Sequence, residues 1–238
     1  MGKNLVVGAA FPDPPFNGME DDGGLDISMM QEIGAVLGMT VEFVAYTGHD
    51  FNGIFDALNS GDYDCVTAGT TVTPAREAKA AFCDPYLISG QSLAVDVSRH
   101  PHVRTIDDLA GLVIGVQQGN TSQAIAEELV AAGKAKSVRV YNYGDVRSAI
   151  TDLTTGGCDA FMKLAPVLTE LVRPVAGAEV VQRGLSTERI ATAVRSADTE
   201  LRSRINAAQD ELERTGRLGE LRRQWLGSPH LDQSAQTV

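Results

Sequence analysis

The sequence predicts an α/β protein made of two lobes joined by two crossing strands. Three observations lead there. Short β-branched runs alternate with segments of helical period along most of the chain, the pattern of parallel sheets covered on both faces. That alternation breaks at two places far apart in the sequence. The length, 238 residues, suits one large domain or two small ones.

Strand signals fall at residues 4–10, 40–46, 63–69, 113–117, 137–142, 158–162 and 179–182. Helical periodicity covers 26–37, 50–60, 122–132, 145–155 and 166–172. Asp50 and Asp145 are placed as helix starts, and Gly61, Gly133 and Gly156 as stops. The first break comes at 92–96, where a strand runs into a stretch containing Pro101 and two histidines. The second comes at 190–195, where a strand is followed by two helices, 199–215 and 218–225. The chain therefore leaves the first lobe near Ser89–Gln91 and returns near Thr187–Thr192. The first lobe comprises residues 1–90 plus 191–238, and the second 91–190. The tail after Gly227 reads as disordered.

Composition excludes several classes. A hydrophobic content of 43% with only 9 prolines marks an ordered globular chain. The formal net charge of -11 disfavours nucleic acid and anionic membrane surfaces as partners. A carboxylate ligand would need its own local cations. Cys65, Cys83 and Cys158 sit in apolar stretches without metal-ligand spacing and read as small buried side chains, with a Cys65–Cys83 disulfide left open. His49, His100, His102 and His230 are scattered, and the pair around Pro101 reads as surface. No run of about 18 apolar residues is present, so no membrane span is expected. Met1-Gly2-Lys3 leads straight into a strand, and an export signal already removed would leave the same start.

Several segments, in order, resemble the amino-acid-type (family 3) solute-binding proteins of bacterial ABC importers. They are Val7-Gly8, Pro14-Pro15-Phe16, Gly24-Leu25-Asp26-Ile27, Gly61-Asp62-Tyr63-Asp64, Ala68-Gly69-Thr70-Thr71-Val72-Thr73-Pro74-Ala75-Arg76 and Phe82-Cys83-Asp84-Pro85-Tyr86. Gly115 to Thr121, Gly157-Cys158-Asp159-Ala160 and the closing run from Gly216 to Gly227 complete the set. The resemblance spans Asn4 to Gly227. It implies a type II periplasmic-binding-protein clamshell whose two lobes close on one small carboxylate-bearing solute. It also implies a membrane permease as partner, a monomeric state, no cofactor, and a periplasmic or extracellular location.

Site residues come from the same segments. Gly69, Thr71 and Arg76 lie where a strand passes into a helix, the place where open α/β sheets put ligand crevices. An arginine fork suits a carboxylate because it makes two parallel charge-assisted hydrogen bonds. The resemblance gives that grip to Arg76 with help from Thr71; a surface ion pair of Arg76 with Glu77, or a helix-end charge, is the bland alternative. Gly119 and Thr121 open a helix in the second lobe, whose first N–H groups attract an anion, unless Thr121 or Ser122 serves only as a cap. Phe51 matches a pocket-wall aromatic, and Phe16 is placed beneath the pocket.

Three positions depart from the family pattern. Where the family holds the ligand's α-ammonium with an aspartate, this chain has Leu164, preceded by Lys163. Asp13 falls at an aromatic position, unless a slip puts Phe11 there, and Ala10 replaces a common aspartate. An ammonium buried against leucine would lack a partner. Either the ligand has no α-amine in the usual place, or Asp13 supplies the negative group.

A binding protein is the first reading, since no nucleophile–histidine pair, phosphate loop or metal cluster is found. An enzyme like the cyclohexadienyl dehydratases comes second; it would need an acid such as Asp13 or Glu188. A receptor's sensor domain comes third, with no membrane-spanning segment to favour it.

Overall fold

The structure, a computed structural model, describes residues 4–19 and 23–227. Its fold class is the expected one, α/β with two sheets of five strands each. The chain separates into two compact units. The first runs to Thr47 and takes in Asn52–Ile88 and the chain from Glu188 onward; the second is Gly48–Phe51 with Ser89–Thr187.

The first unit holds β1 (Asn4–Ala10), α1 (Leu25–Leu37), β2 (Thr40–Tyr46), α2 (Gly53–Ser60), β3 (Cys65–Val66), α3 (Pro74–Glu77) and β4 (Ala81–Phe82). The chain leaves through β5 (Leu87–Ser89) and returns through β11 (Glu188–Ile190), which pair as a two-stranded ribbon. It closes with β12 (Ala193–Val194), α7 (Thr199–Arg214) and α8 (Arg217–Leu226). The sheet order is β2-β1-β3-β12-β4, with β1 parallel to β2 and β3 and β12 antiparallel to its neighbours. The two closing helices pack on α1: Trp225 Nε1 donates to Ser28 Oγ at 3.1 Å, and Arg217 reaches Glu32 at 2.7 Å.

The second unit holds β6 (Gln91–Asp96), β7 (Val113–Gln117), α4 (Thr121–Ala131), β8 (Ser137–Tyr141), α5 (Val146–Thr155), β9 (Ala160–Leu164), α6 (Ala165–Val172) and β10 (Ala178–Gln182). Its order is β10-β6-β9-β7-β8. Strand alternation divides its core between the two faces of the sheet. Leu93, Val95 and Met162 pack with Ala126 and Leu129 of α4 on one face. Ala94 and Phe161 pack with Ile150 and Leu153 of α5 and Leu168 of α6 on the other.

Several elements differ from the sequence reading. Residues 48–51, read as first lobe, pack with the second unit: Phe51 N donates to Gln118 O and Tyr143 N to His49 O. The helix read from Asp50 consequently starts at Gly53. The strand read over 63–69 shrinks to Cys65–Val66, because Gly69 turns at φ +55°. The strand read from 158 starts at Ala160 and runs on to Leu164, because the loop before it is spent on other bonds. Gly156, Gly157 and Cys158 all donate to Asp152 O, and Asp159 donates to Val113 O. The strand read over 190–195 is two short ones. Of the two histidines read as surface, His102 is exposed, whereas His100 is half-buried and its Nε2 meets Asp159 Oδ1 at 3.0 Å, beside Arg99. The tail after Gly227, His230 and Met1–Lys3 lie outside the described residues.

All three cysteines are buried free thiols. Since β12 lies between β3 and β4, Cys65 and Cys83 stand two strand spacings apart, roughly 10 Å, beyond the about 7 Å that a disulfide spans. Burial pushes the Cys83 thiol up to about 12 and Cys158 to about 11, and raises Cys65 as well. The native protein is therefore expected to take up no alkylating reagent at pH 8, and the unfolded chain to take up three equivalents by mass spectrometry. A cross-linked pair in a non-reducing digest would contradict this arrangement.

Candidate functional site

The first unit's candidate residues are arranged around one short loop. Helix α1 begins at a backbone already supplied with partners: Leu25 N donates to Pro15 O and Asp26 N to Phe16 O, both at 2.9 Å. This close approach needs Gly24, where a Cβ would stand 2.2 Å from Phe16 O. Asp26, wholly buried in the first turn of α1, then accepts from Gly69 N at 2.7 Å and from Tyr86 Oη at 2.6 Å. The Phe16 ring lies under Gly69, with 3.0 Å left for any added Cβ. Phe16 thus supports the loop from below.

Beyond Gly69 the loop runs beside β11. Ala191 N donates to Thr70 O at 3.0 Å and Val72 N to Arg189 O at 2.8 Å. Thr71 is 6% exposed and its hydroxyl donates to Glu188 Oε2 at 2.5 Å. Thr73 caps α3, with Pro74 in the first turn and Arg76 following. Arg76 is only 5% exposed, which rules out the surface ion pair with Glu77. Its Nε donates to Asn52 Oδ1 at 3.0 Å, its Nη1 to Thr71 O at 2.9 Å, and its guanidinium lies 5.8 Å from the Phe55 ring centre. Asn52 and the Thr71 carbonyl thus help to fix the direction of the guanidinium plane. Asn52 and Asp26 are the members sequence reasoning missed; Asp26 lay within a quoted motif, but nothing in its spacing says that its carboxyl holds a loop 43 residues away.

Asp13 is 7% exposed, and the turn it opens is closed by Asn17 Oδ1 accepting from Asp13 N at 2.9 Å. Phe11 lines a separate cleft of about 300 Å³ with Ile27, Phe43 and Ala45.

In the second unit, β7 and β9 run parallel and end at Gln117 and Leu164, while antiparallel β6 begins at Gln91. These residues gather at one end of the sheet, where α4 also starts. Lys163 is 3% exposed and Leu164 7%. Lys163 Nζ donates to Gln117 Oε1 at 2.6 Å and stands 5.6 Å from the Tyr143 ring centre. The Gln117 amide donates in turn to the Tyr143 carbonyl. Gln91 Nε2 donates to Thr121 Oγ1 at 2.9 Å. The cap of α4 is Asn120 without a side-chain bond, so neither Thr121 nor Ser122 serves as the cap. Gly119 turns at φ +78° and its N–H meets Gln123 Oε1 at 3.1 Å. Phe51 stacks on Tyr143, ring centres 5.2 Å apart.

The model of the bacterial extracellular solute-binding proteins, family 3, matches residues 5–228. The chain belongs to that family. Relatives agree along nearly the full length. A putative amino-acid ABC transporter-binding protein of Vibrio harveyi is 27% identical over 220 residues, covering 90% of this chain and 85% of its own. The L-cystine-binding protein of Escherichia coli strain K12 is 27% identical over 228 residues, covering 94% and 83%. Among solved structures, an ancestral arginine-binding protein bound to glutamine superposes with a TM-score of 0.84 at 33% identity, covering 96% of this chain and 100% of the other. An ancestral amino-acid-binding protein described as a precursor of cyclohexadienyl dehydratase gives 0.83 at 29% identity, covering 94% and 95%.

Burial dominates the Asp26 carboxyl and raises it from 3.8 to about 7; bonds from Tyr86 and Gly69 pull the other way, and the Asp13 charge pushes it further up. A carboxyl raised in the folded state favours folding while protonated. Its contribution is complete below about pH 4 and is lost as pH rises through about 7, a difference on the order of 4 kcal/mol. Asp26→Asn removes that dependence. Chemical denaturation is expected to show the stability of Asp26→Asn gaining on the wild type between pH 4 and 7 and then levelling off. A gap that does not vary with pH would contradict the assignment.

Proposed function

We propose that this protein is the extracytoplasmic solute-binding component of an ABC importer. It captures an amino acid or related small carboxylate, hands it to a membrane permease, and works as a monomer on the periplasmic or extracellular face without catalysing a reaction. The observation that carries the reading is Arg76. A guanidinium withdrawn from solvent and oriented by Asn52 and Thr71 is preorganised for a two-pronged hold on a carboxylate. In the second unit, the Gly119–Thr121 turn opens α4, whose leading N–H groups carry a partial positive charge.

Relatives named for amino acids, L-cystine among them, support the same class of solute. The enzymatic alternative has less behind it. The position where it would place an acid is Leu164, and Glu188 is engaged by the Thr71 hydroxyl. The dehydratase precursor is itself described as an amino-acid-binding protein.

A thermal-shift screen against the standard amino acids and a set of plain carboxylates tests the reading. A ligand at about a hundred times its dissociation constant adds about 2.7 kcal/mol, a rise of several degrees. Arg76→Ala is expected to melt cooperatively yet lose about 2–5 kcal/mol of binding energy, which calorimetry resolves. Unchanged affinity in that variant would remove Arg76 from the site.

A further inference from the structure

A buried acid stands behind the loop that carries Arg76. Asp26 has no exposed surface, and its two oxygens accept from Gly69 N at 2.7 Å and from Tyr86 Oη at 2.6 Å. From Gly69 the chain runs to Thr71, whose carbonyl accepts from Arg76 Nη1 at 2.9 Å. Three residues span at most about 11 Å, so the guanidinium lies within roughly 16 Å of the carboxyl. Both groups belong to the first unit.

Tyr86 ties the acid into the rest of that unit. Its N donates to Ile190 O at 3.0 Å, its O accepts from Arg222 Nε at 2.8 Å, and Arg222 pairs with Glu213. The groups that bear on Asp26 are thus the Tyr86 phenol and the Asp13 carboxyl, with the Arg222–Glu213 pair of α8 and α7 beyond the Tyr86 backbone. Burial raises the Asp26 carboxyl to about 7, so both of its forms are populated at neutral pH. The protonated form keeps both contacts: its hydroxyl donates to Tyr86 Oη while the other oxygen still accepts from Gly69 N. Protonation therefore changes the charge behind the loop and leaves the loop in place.

A solute carboxylate at Arg76 brings a second negative charge to this loop. Like charges raise each other's proton affinity, and burial limits screening by salt. At an effective dielectric of about 20, a unit charge at that distance changes a proton affinity about fivefold. We propose that Asp26 couples solute binding at Arg76 to the uptake of a proton, so that the protein holds a carboxylate more tightly at mildly acidic pH than at alkaline pH. The inference rests on the carboxylate-binding reading above and adds a regulation of that site. By reciprocity, the solute favours the protonated acid by the same factor as the protonated acid favours the solute.

Calorimetry with the whole chain tests it, the probes being the twenty standard amino acids with acetate, pyruvate and glutarate as plain carboxylates. For each probe that binds, the wild type is expected to lose about fivefold in affinity between pH 6 and 8.5. It is also expected to take up about 0.4 proton on binding near pH 7, read from the heats in buffers of different ionisation enthalpy. Asp26→Asn, a neutral stand-in for the protonated form, is expected to lose that pH dependence and that uptake. The variant meets the same ionisation of the probe, so the difference between the two proteins belongs to Asp26. A residue that merely supports the loop would weaken binding alike at every pH. The same pH ratio in both proteins overturns the proposal. If Asp26→Asn does not fold, Tyr86→Phe decides: it removes a donor that favours the ionised acid and is expected to move the midpoint of the affinity loss to higher pH. An unmoved midpoint overturns the proposal, and so, without either variant, does a wild-type affinity that does not fall with pH. A wild type that binds none of the probes overturns the carboxylate reading as well.

Discussion

The first unit depends on one buried carboxyl group. Asp26 lies at the start of α1, yet its oxygens hold Gly69 in the loop after β3 and Tyr86 just before β5. Three segments distant in sequence are joined at a single side chain with no exposed surface. The chain beyond Gly69 inherits its position from that junction: Thr71, the cap at Thr73, and Arg76 one turn later. The junction works against stability whenever the carboxyl is ionised, because burial raises it to about 7. Such a cost persists in folded proteins where the surrounding structure fixes the strained or desolvated group, and it concentrates at functional sites.

The second unit solves a similar problem with the opposite charge. Its sheet puts the ends of β7 and β9 beside the start of β6, so Gln117, Lys163 and Gln91 converge with the first turn of α4. Nothing in the fold class requires a lysine there. Family membership extends over nearly the whole chain, and a fold shared so widely leaves specificity to individual side chains.

Much of the architecture was legible because periodicity accumulates over many residues. The strands at 4–10, 40–46 and 113–117 and the helices near 25–37, 121–131 and 146–155 stand where the pattern puts them, within one residue. The readings that moved are short or sit at junctions. β3 keeps two residues, and β9 slides by two because the Asp152 carbonyl and the Asp159 side chain claim the loop ahead of it. Residues 48–51 change unit because their backbone partners are Gln118 and Tyr143, far along the chain.

By itself, the sequence determined the fold class, the family and the identity of the candidate arginine, since all three are written in local pattern and ordered motifs. The tertiary structure alone decided what surrounds each charge: that Arg76 is buried against Asn52, that Asp26 braces the Gly69 loop, and that the ammonium of Lys163 is held by Gln117 over Tyr143. The physical reason is range. Periodicity and turn chemistry act between neighbours along the chain, whereas desolvation and the partner of a buried charge depend on residues brought together only when the sheets form.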